Sequence, residues 1–422
     1  MLLIMGDLMK KFLSLVISVS ILLCLCACGN TDTVSQAEEL IYEEVIIYDD
    51  TSSITSEEQV SSETTSESNE SSNDVQEVIS DNTYLNGDDG VYSLNDEQTL
   101  KNIKFNGRCD KTDKGVNLNL AASAIEFNTD STSIMMVVDS APDIYYTIVV
   151  DGKVTKKREV TASGTNYINV ARGLSQGEHN VKIIRDCEGR GNKYFTIVSL
   201  QLDDGALLTK DADKKVIEFL GDSLTSGYGN LVLNGASEPQ EFKNQSSMAA
   251  YPYLIAQKFG LDYRIVSQSG IALQKREGYL SFPDYYNLEN YHIDQEKKYA
   301  SSSPADVDIV VVNLGTNDIG SGLYDVNNLE QVKAYEKHYA NLITNIGYRK
   351  DVKIIFLTGV WNNDPAIIDG GVVRELNSLG YNNVYTLKLK AYKSGGGSHP
   401  SADEHKEIAE KLEKFFKENG IA

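Results

Sequence analysis

The run Val216-Ile217-Glu218-Phe219-Leu220-Gly221-Asp222-Ser223-Leu224-Thr225-Ser226-Gly227-Tyr228-Gly229 joins an apolar β-rich segment directly to a polar turn punctuated by glycine. Apolar segments of the same even kind recur at Arg264 to Val266, Ile309 to Leu314, Ile354 to Thr358 and Val384 to Leu389. Such evenness fits strands buried on both faces, as in parallel sheets. Helical spacing separates them, as in Glu330 to Ile346. Strands alternating with helices predict an α/β domain over residues 206–422, built on a doubly wound parallel five-stranded sheet. Ligands gather at the carboxyl ends of strands in such sheets. Ser223 falls at one of those ends, on a strand-to-helix turn that exposes its hydroxyl and offers backbone N–H groups to an oxyanion.

Upstream the pattern changes. From residue 99 to 205 short alternating runs predict an all-β sandwich. The clearest is Thr147-Ile148-Val149-Val150, then Asp151-Gly152, then Lys153-Val154-Thr155, where the Asp-Gly pair between strand-like runs signals a hairpin. Residues 28–98 are rich in Ser, Thr, Glu and Asp and offer too little apolar surface to offset chain entropy, which predicts an extended acidic tether. At the start, Lys10 and Lys11 precede an apolar run from Phe12 to Ala27, read as a signal peptide over residues 1–27. Leu25-Cys26-Ala27-Cys28 resembles the lipobox of bacterial lipoproteins, which implies cleavage before Cys28, a lipid anchor on its thiol, and a place on the extracellular face of the bacterial cell membrane.

The formal net charge is −22, yet no Lys or Arg lies between Phe12 and Leu100, so the folded remainder is only mildly acidic. With no clustered basic face, nucleic acid is disfavoured as a partner. Cys109 and Cys187 remain in the folded part, either paired or as two buried thiols; spacing does not choose between these. His, Cys and carboxylate residues show no metal-ligand spacing, so neither a metal nor another cofactor is expected.

Three further blocks stand after later strands: Ser269-Gly270, Gly315-Thr316-Asn317-Asp318 and Ser398-His399-Pro400. With the serine turn they resemble the four blocks of the SGNH (GDSL) hydrolase superfamily, a flavodoxin-like fold, in order and at strand ends. The resemblance implies Ser223 as nucleophile, His399 as general base, and an oxyanion hole from the Ser223 and Gly270 N–H groups and the Asn317 amide. It gives Asp222 and Asp318 structural duties. A narrower likeness rests on Phe105-Asn106-Gly107-Arg108, on Ile217 to Ser223, and on Ser269-Gly270-Ile271-Ala272-Leu273 behind a β sandwich. This resembles carbohydrate esterase family 2, whose members remove O-acetyl groups from plant polysaccharides, and implies an acetylated carbohydrate as partner. The rival readings are a lipid esterase or thioesterase on the same fold, and a surface carbohydrate-binding protein with an inactive hydrolase domain.

Other histidines are weaker candidates. His179, His292 and His338 read as surface or packing residues, and His405, six residues past His399, as a poor alternative base. Trp361 follows the fourth strand and either faces the cleft or packs in the core. The superfamily's acid usually stands three residues before the histidine, where this chain has Gly396. Asp403 and Glu404 do not replace it: Ser401 and Glu404 have the spacing of a capping box, and Asp403 falls in the first helical turn. His399 is therefore expected to be oriented by a neutral acceptor within Gly395 to Ser398, giving a Ser-His dyad.

Overall fold

The computed structural model describes residues 90–190, 193–290, 294–298 and 303–422. The expected signal peptide (1–27), Cys28, the tether as far as residue 89, and His292 lie outside the described residues. Everything described lies in one compact unit that starts at Val78.

The sandwich consists of two antiparallel sheets. One has the order Cys109–Lys111, Val116–Leu118, Phe195–Leu202, Ile134–Ser140, Gly164–Ala171, with Val91–Ser93 also pairing to Phe195–Leu202. The other has the order Leu207–Leu208, Ala124–Thr129, His179–Arg185, Tyr145–Val150, Lys153–Val160, with Lys104–Asn106 pairing to Ala124–Thr129. Its strands thus extend past residues 99 and 205 at both ends. Alternate residues of Ile134–Ser140 are buried, the period-2 signature of a strand with one core face. The Asp151-Gly152 turn has positive φ at both residues (49° and 72°), which makes it a type I′ hairpin matched to strand twist. His179 pins this turn, with Nδ1 on the Asp151 carboxylate and Nε2 on the Ser175 carbonyl, both at 2.8 Å. Cys109 and Cys187 are free and buried, and burial pushes the Cys109 thiol up to about 12.

The second half is a parallel sheet of β1 (Val216–Gly221), β2 (Asp262–Ser267), β3 (Val307–Asn313), β4 (Lys353–Thr358) and β5 (Val384–Lys388). Their order is β2-β1-β3-β4-β5. Five helices matter here: α1 (Ser223–Ser226), α2 (Tyr251–Phe259), α3 (Leu329–Ile346), α4 (Gly371–Ser378) and α5 (Ala402–Glu418). Val310 and Val312 of β3 pack with Tyr339 and Ile343 of α3 and Leu376 of α4, whereas Ile309 and Val311 pack with Ile255 of α2 and Leu412 of α5. Both faces are covered, which is why β3 is apolar at every one of these positions. In a 2-1-3-4-5 order the connections leave β1 and β3 in opposite directions, and a crevice opens between their carboxyl ends.

The two halves share cores. Leu120 of the sandwich joins the α3 and α4 side, Ala122 and Ile184 join the α2 and α5 side, and Phe242 packs into the sandwich. A polar staple reinforces this: Arg158 donates to the carbonyls of Phe242 (3.0 Å), Lys243 (3.2 Å) and Gln245, and pairs with Asp186 at 3.2 Å. Asp186 in turn accepts from Ser246 Oγ (2.7 Å) and Met248 N (2.9 Å). Its carboxylate is almost fully buried, so Arg158→Ala strands an uncompensated charge and should cost about 3–5 kcal/mol. Urea unfolding should show that loss, with both halves of wild type unfolding in one transition; two separate transitions would contradict the shared core.

Candidate active site

β1 ends at Gly221, and the chain turns sharply. Asp222 caps α1, its Oδ1 accepting from Leu224 N at 2.9 Å, and Ser223 becomes the first helical residue. A Cβ on Gly221 would lie 2.0 Å from Thr225 Oγ1, so only glycine allows the following turn to fold back this closely.

The base arrives from beyond β5. His399 Nε2 stands 2.8 Å from Ser223 Oγ, and His399 Nδ1 stands 2.9 Å from the Gly397 carbonyl. The carbonyl can only accept, so Nδ1 carries the proton and Nε2 presents its lone pair to the serine hydroxyl. The orienting acceptor is thus a backbone carbonyl, as expected for residues 395–398. The nearby carboxylates are otherwise engaged. Ser401 and Glu404 form the capping box, and Glu404 Oε2 also accepts from Ser394 N at 3.0 Å. Asp403 is exposed and pairs with Lys406 at 2.7 Å.

Burial holds His399 below the ordinary histidine value, opposed by the Gly397 carbonyl and by the charge of Glu188. Tyr228 lies against the imidazole at 4.6 Å between centroids, and Trp361 meets it edge-on at 4.8 Å. Trp361 therefore faces the cleft.

Gly270 and Asn317 line the same cleft, of about 650 Å³, as Ser223, Tyr228, Trp361 and His399. Gly270 follows β2 with φ +82°, and Asn317 follows β3. The Asn317 amide donates to the Ile271 carbonyl at 2.8 Å, which ties the two turns together, and approaches Asp222 Oδ2 at 3.4 Å. Asp222 is fully buried; burial pushes its carboxyl up to about 7, helped by repulsion from Asp318. Asp318 accepts from Leu273 N (2.8 Å), Gln274 N (2.9 Å) and Tyr335 OH (2.9 Å), so it anchors the chain beyond Gly270 to α3.

The remaining histidines stand apart. His338 packs edge-on against Tyr335. His405 is fully buried in α5, where its Nδ1 accepts from Tyr251 N at 3.3 Å, and burial pushes it down to about 3. It is a neutral core residue, so replacing it would disturb stability rather than pass unnoticed. Among the described residues no cluster of three His, Cys, Asp or Glu side chains could hold a metal ion.

Sequence reasoning missed the sandwich's part in the cleft. Arg190 lines it together with Gln240, and both also line a neighbouring groove of about 760 Å³ against Tyr145, Lys193 and Phe242. Glu188, behind Arg190, is wholly buried.

Comparison with known proteins agrees with this two-part build. Residues 105–211 match the family described as Carbohydrate esterase 2 N-terminal, and residues 219–405 match the GDSL-like Lipase/Acylhydrolase family. The two matches follow one another along the chain, the first over the sandwich and the second over the parallel sheet. It is 28% identical to the "Cellulase/esterase CelE" of Acetivibrio thermocellus over 326 residues, 74% of this chain but only 38% of that protein's length. It is 29% identical to the "Acetylxylan esterase / glucomannan deacetylase" of Cellvibrio japonicus over 57% of this chain and 69% of that protein. In fold it is similar to a family two carbohydrate esterase from Clostridium thermocellum solved in complex with cellohexaose, with a TM-score of 0.65 at 23% identity over 76% of this chain and all of that one.

A base that must be neutral and is held low by burial loses activity only in acid. The acid limb of kcat/KM should fall below pH 6.5, the ordinary value for histidine, and Asp403→Asn should change kcat by no more than a few-fold. A limb above 6.5, or a collapse in Asp403→Asn, would restore a displaced acid to the mechanism.

Proposed function

We propose that the chain is a serine esterase that removes O-acetyl groups from carbohydrate, plant polysaccharide or oligosaccharide, through an acyl-serine intermediate. One observation carries the reading: Ser223 Oγ sits 2.8 Å from a histidine nitrogen whose partner nitrogen is already committed to a carbonyl. A neutral serine is a poor nucleophile and needs such a base within hydrogen-bond reach. His399 Nε2 takes the proton as Oγ attacks the acetyl carbonyl. The negative charge that develops on the carbonyl oxygen falls to the Ser223 and Gly270 N–H groups and to the Asn317 amide as it gives up its 3.4 Å contact with Asp222, each donor worth roughly 3 kcal/mol in the transition state. The imidazolium then protonates the departing sugar hydroxyl, and water enters by the reverse of these steps.

Support for the substrate class is twofold. Tyr228 and Trp361 beside the dyad offer aromatic surface against which the apolar face of a sugar ring can pack. The relatives' names, a cellulase/esterase and an acetylxylan esterase / glucomannan deacetylase, point to acetylated plant polysaccharide.

Ser223→Ala and His399→Ala should each lower kcat by on the order of 10⁴ or more, with the double variant little worse than either, because losing one member idles the other. Acetate release from a panel of acetylated polysaccharides identifies the sugar. Activity rising from acetyl to octanoyl esters would favour a lipid esterase, and no turnover of an aryl acetate would leave a binding protein.

We further propose that the protein is a lipoprotein, exported with a signal peptide over residues 1–27 and anchored through Cys28 to the outer face of the membrane, on the strength of Leu25 to Cys28 and the acidic stretch behind it. Expressed in a bacterium, it should partition into detergent and lose that behaviour in Cys28→Ala; aqueous partitioning of the unmutated protein would count against the anchor.

A further inference from the structure

Among the described residues, the sandwich reaches the active site at the end of strand His179–Arg185, where Asp186-Cys187-Glu188-Gly189-Arg190 follows. Glu188 is wholly buried. Its Oε2 accepts from Ser269 Oγ at 2.7 Å and from Ser269 N at 3.1 Å, and its Oε1 pairs with Arg190. The segment is fixed on both sides. Arg185 donates to the Glu188 carbonyl at 3.0 Å, while Asp186 is held by Ser246 and Met248. Arg190 lies over the Phe242 ring at 5.9 Å, donates to the Gln240 carbonyl at 3.4 Å, and keeps about a third of its side chain exposed in the cleft.

A buried carboxylate is costly unless fully partnered. This one spends its acceptors on the residue immediately before Gly270 and on a cation that lines the cleft. Ser269 N and Oγ on one carboxylate oxygen fix the turn from which the Gly270 N–H projects, and an oxyanion donor is effective only when it is fixed in advance. The titratable and charged groups around His399 are Tyr228, His405, Lys393 beyond Trp361, Arg190 and Glu188. The other carboxylates nearby, Asp222, Asp403 and Glu404, are engaged with Leu224 N, Lys406 and the Ser401 cap.

We propose that Glu188 is a positioning residue supplied by the sandwich: it fixes the Ser269-Gly270 turn and pairs with Arg190 in the cleft, so that His399 meets an ion pair there and not a lone cation. The catalytic part of this rests on the esterase reading above. The sandwich is then part of the active site rather than an appended module.

The test compares Glu188→Ala and Glu188→Gln in the full chain. With an aryl acetate, Glu188→Ala should lower kcat by roughly 10- to 100-fold and leave KM within about threefold, as expected when an oxyanion donor is misaligned rather than substrate binding lost. Glu188→Gln keeps the acceptor for Ser269 but not the charge. NMR titration of the His399 ring should then give a midpoint lower than in wild type, since Arg190 is left unpaired in the cleft that His399 lines and a lone cation disfavours the imidazolium. A kcat within twofold of wild type in Glu188→Ala, or an unmoved His399 midpoint in Glu188→Gln, would overturn the proposal. Should Glu188→Ala fail to fold, the near-isosteric Glu188→Gln decides by its titration alone. A wild-type chain that hydrolyses no acetyl ester would sink the esterase reading, while the His399 midpoint would still decide whether Glu188 acts on the imidazole.

Discussion

The active geometry depends on the close approach of two backbone turns, one after β1 and one after β5. Gly396 N donates to the Gly229 carbonyl at 2.8 Å, and Ala402 N donates to the Asn230 carbonyl at 2.8 Å. A Cβ on Gly229 would lie 2.6 Å from the Gly396 carbonyl oxygen, and a Cβ on Gly396 would lie 2.7 Å from Val232 Cγ2 and 2.8 Å from Pro239 Cβ. The site therefore has no room for a side chain at Gly396, the position where an acid usually precedes the histidine in similar sequences. Gly397 adds a left-handed φ of +64°, and its carbonyl orients the imidazole. A carbonyl fixes the tautomer but brings no charge to stabilise the imidazolium. The geometry that brings the base to the serine is thus the same one that excludes the conventional acid.

The α/β half handles its buried acids in a related way, with phenols instead of cations. Glu218 of β1 accepts from Tyr286 and Tyr348, Asp318 from Tyr335, and Asp364 from Tyr324 at 2.9 Å and Tyr339 at 2.8 Å. Burial raises Asp318 and Asp364 above the usual carboxylate range, which a neutral hydroxyl only partly offsets. Each acid instead ties a loop to the scaffold. Asp318 matters most, because it joins the chain beyond Gly270 to α3, next to Asn317.

Much of this was legible in the sequence because it is local. The five even strands, the Asp151-Gly152 hairpin and the Ser401 capping box each follow from periodicity or turn chemistry within a few residues. The Ser223–His399 pairing was expected from the resemblance of four short blocks to the SGNH superfamily, and sheet geometry added only that such blocks stand at strand ends. Glu188 and Arg190 were not, since nothing within Asp186 to Arg190 says which surface of another domain will face it. His405 was within reach: it shares the buried stripe of α5 with Ile408, Ala409, Leu412 and Phe416, at spacings of three, four, seven and eleven, and that pattern marks it as a core residue.

Ser223 and His399 are 176 positions apart, and Glu188 and Ser269 are 81 apart. Contacts of such separation form late, after loop closure has been overcome. The base lies beyond the last strand of the sheet, on a segment held to the serine turn by the Gly396–Gly229 and Ala402–Asn230 hydrogen bonds. Opening that segment alone would part His399 from Ser223 while leaving the five strands paired.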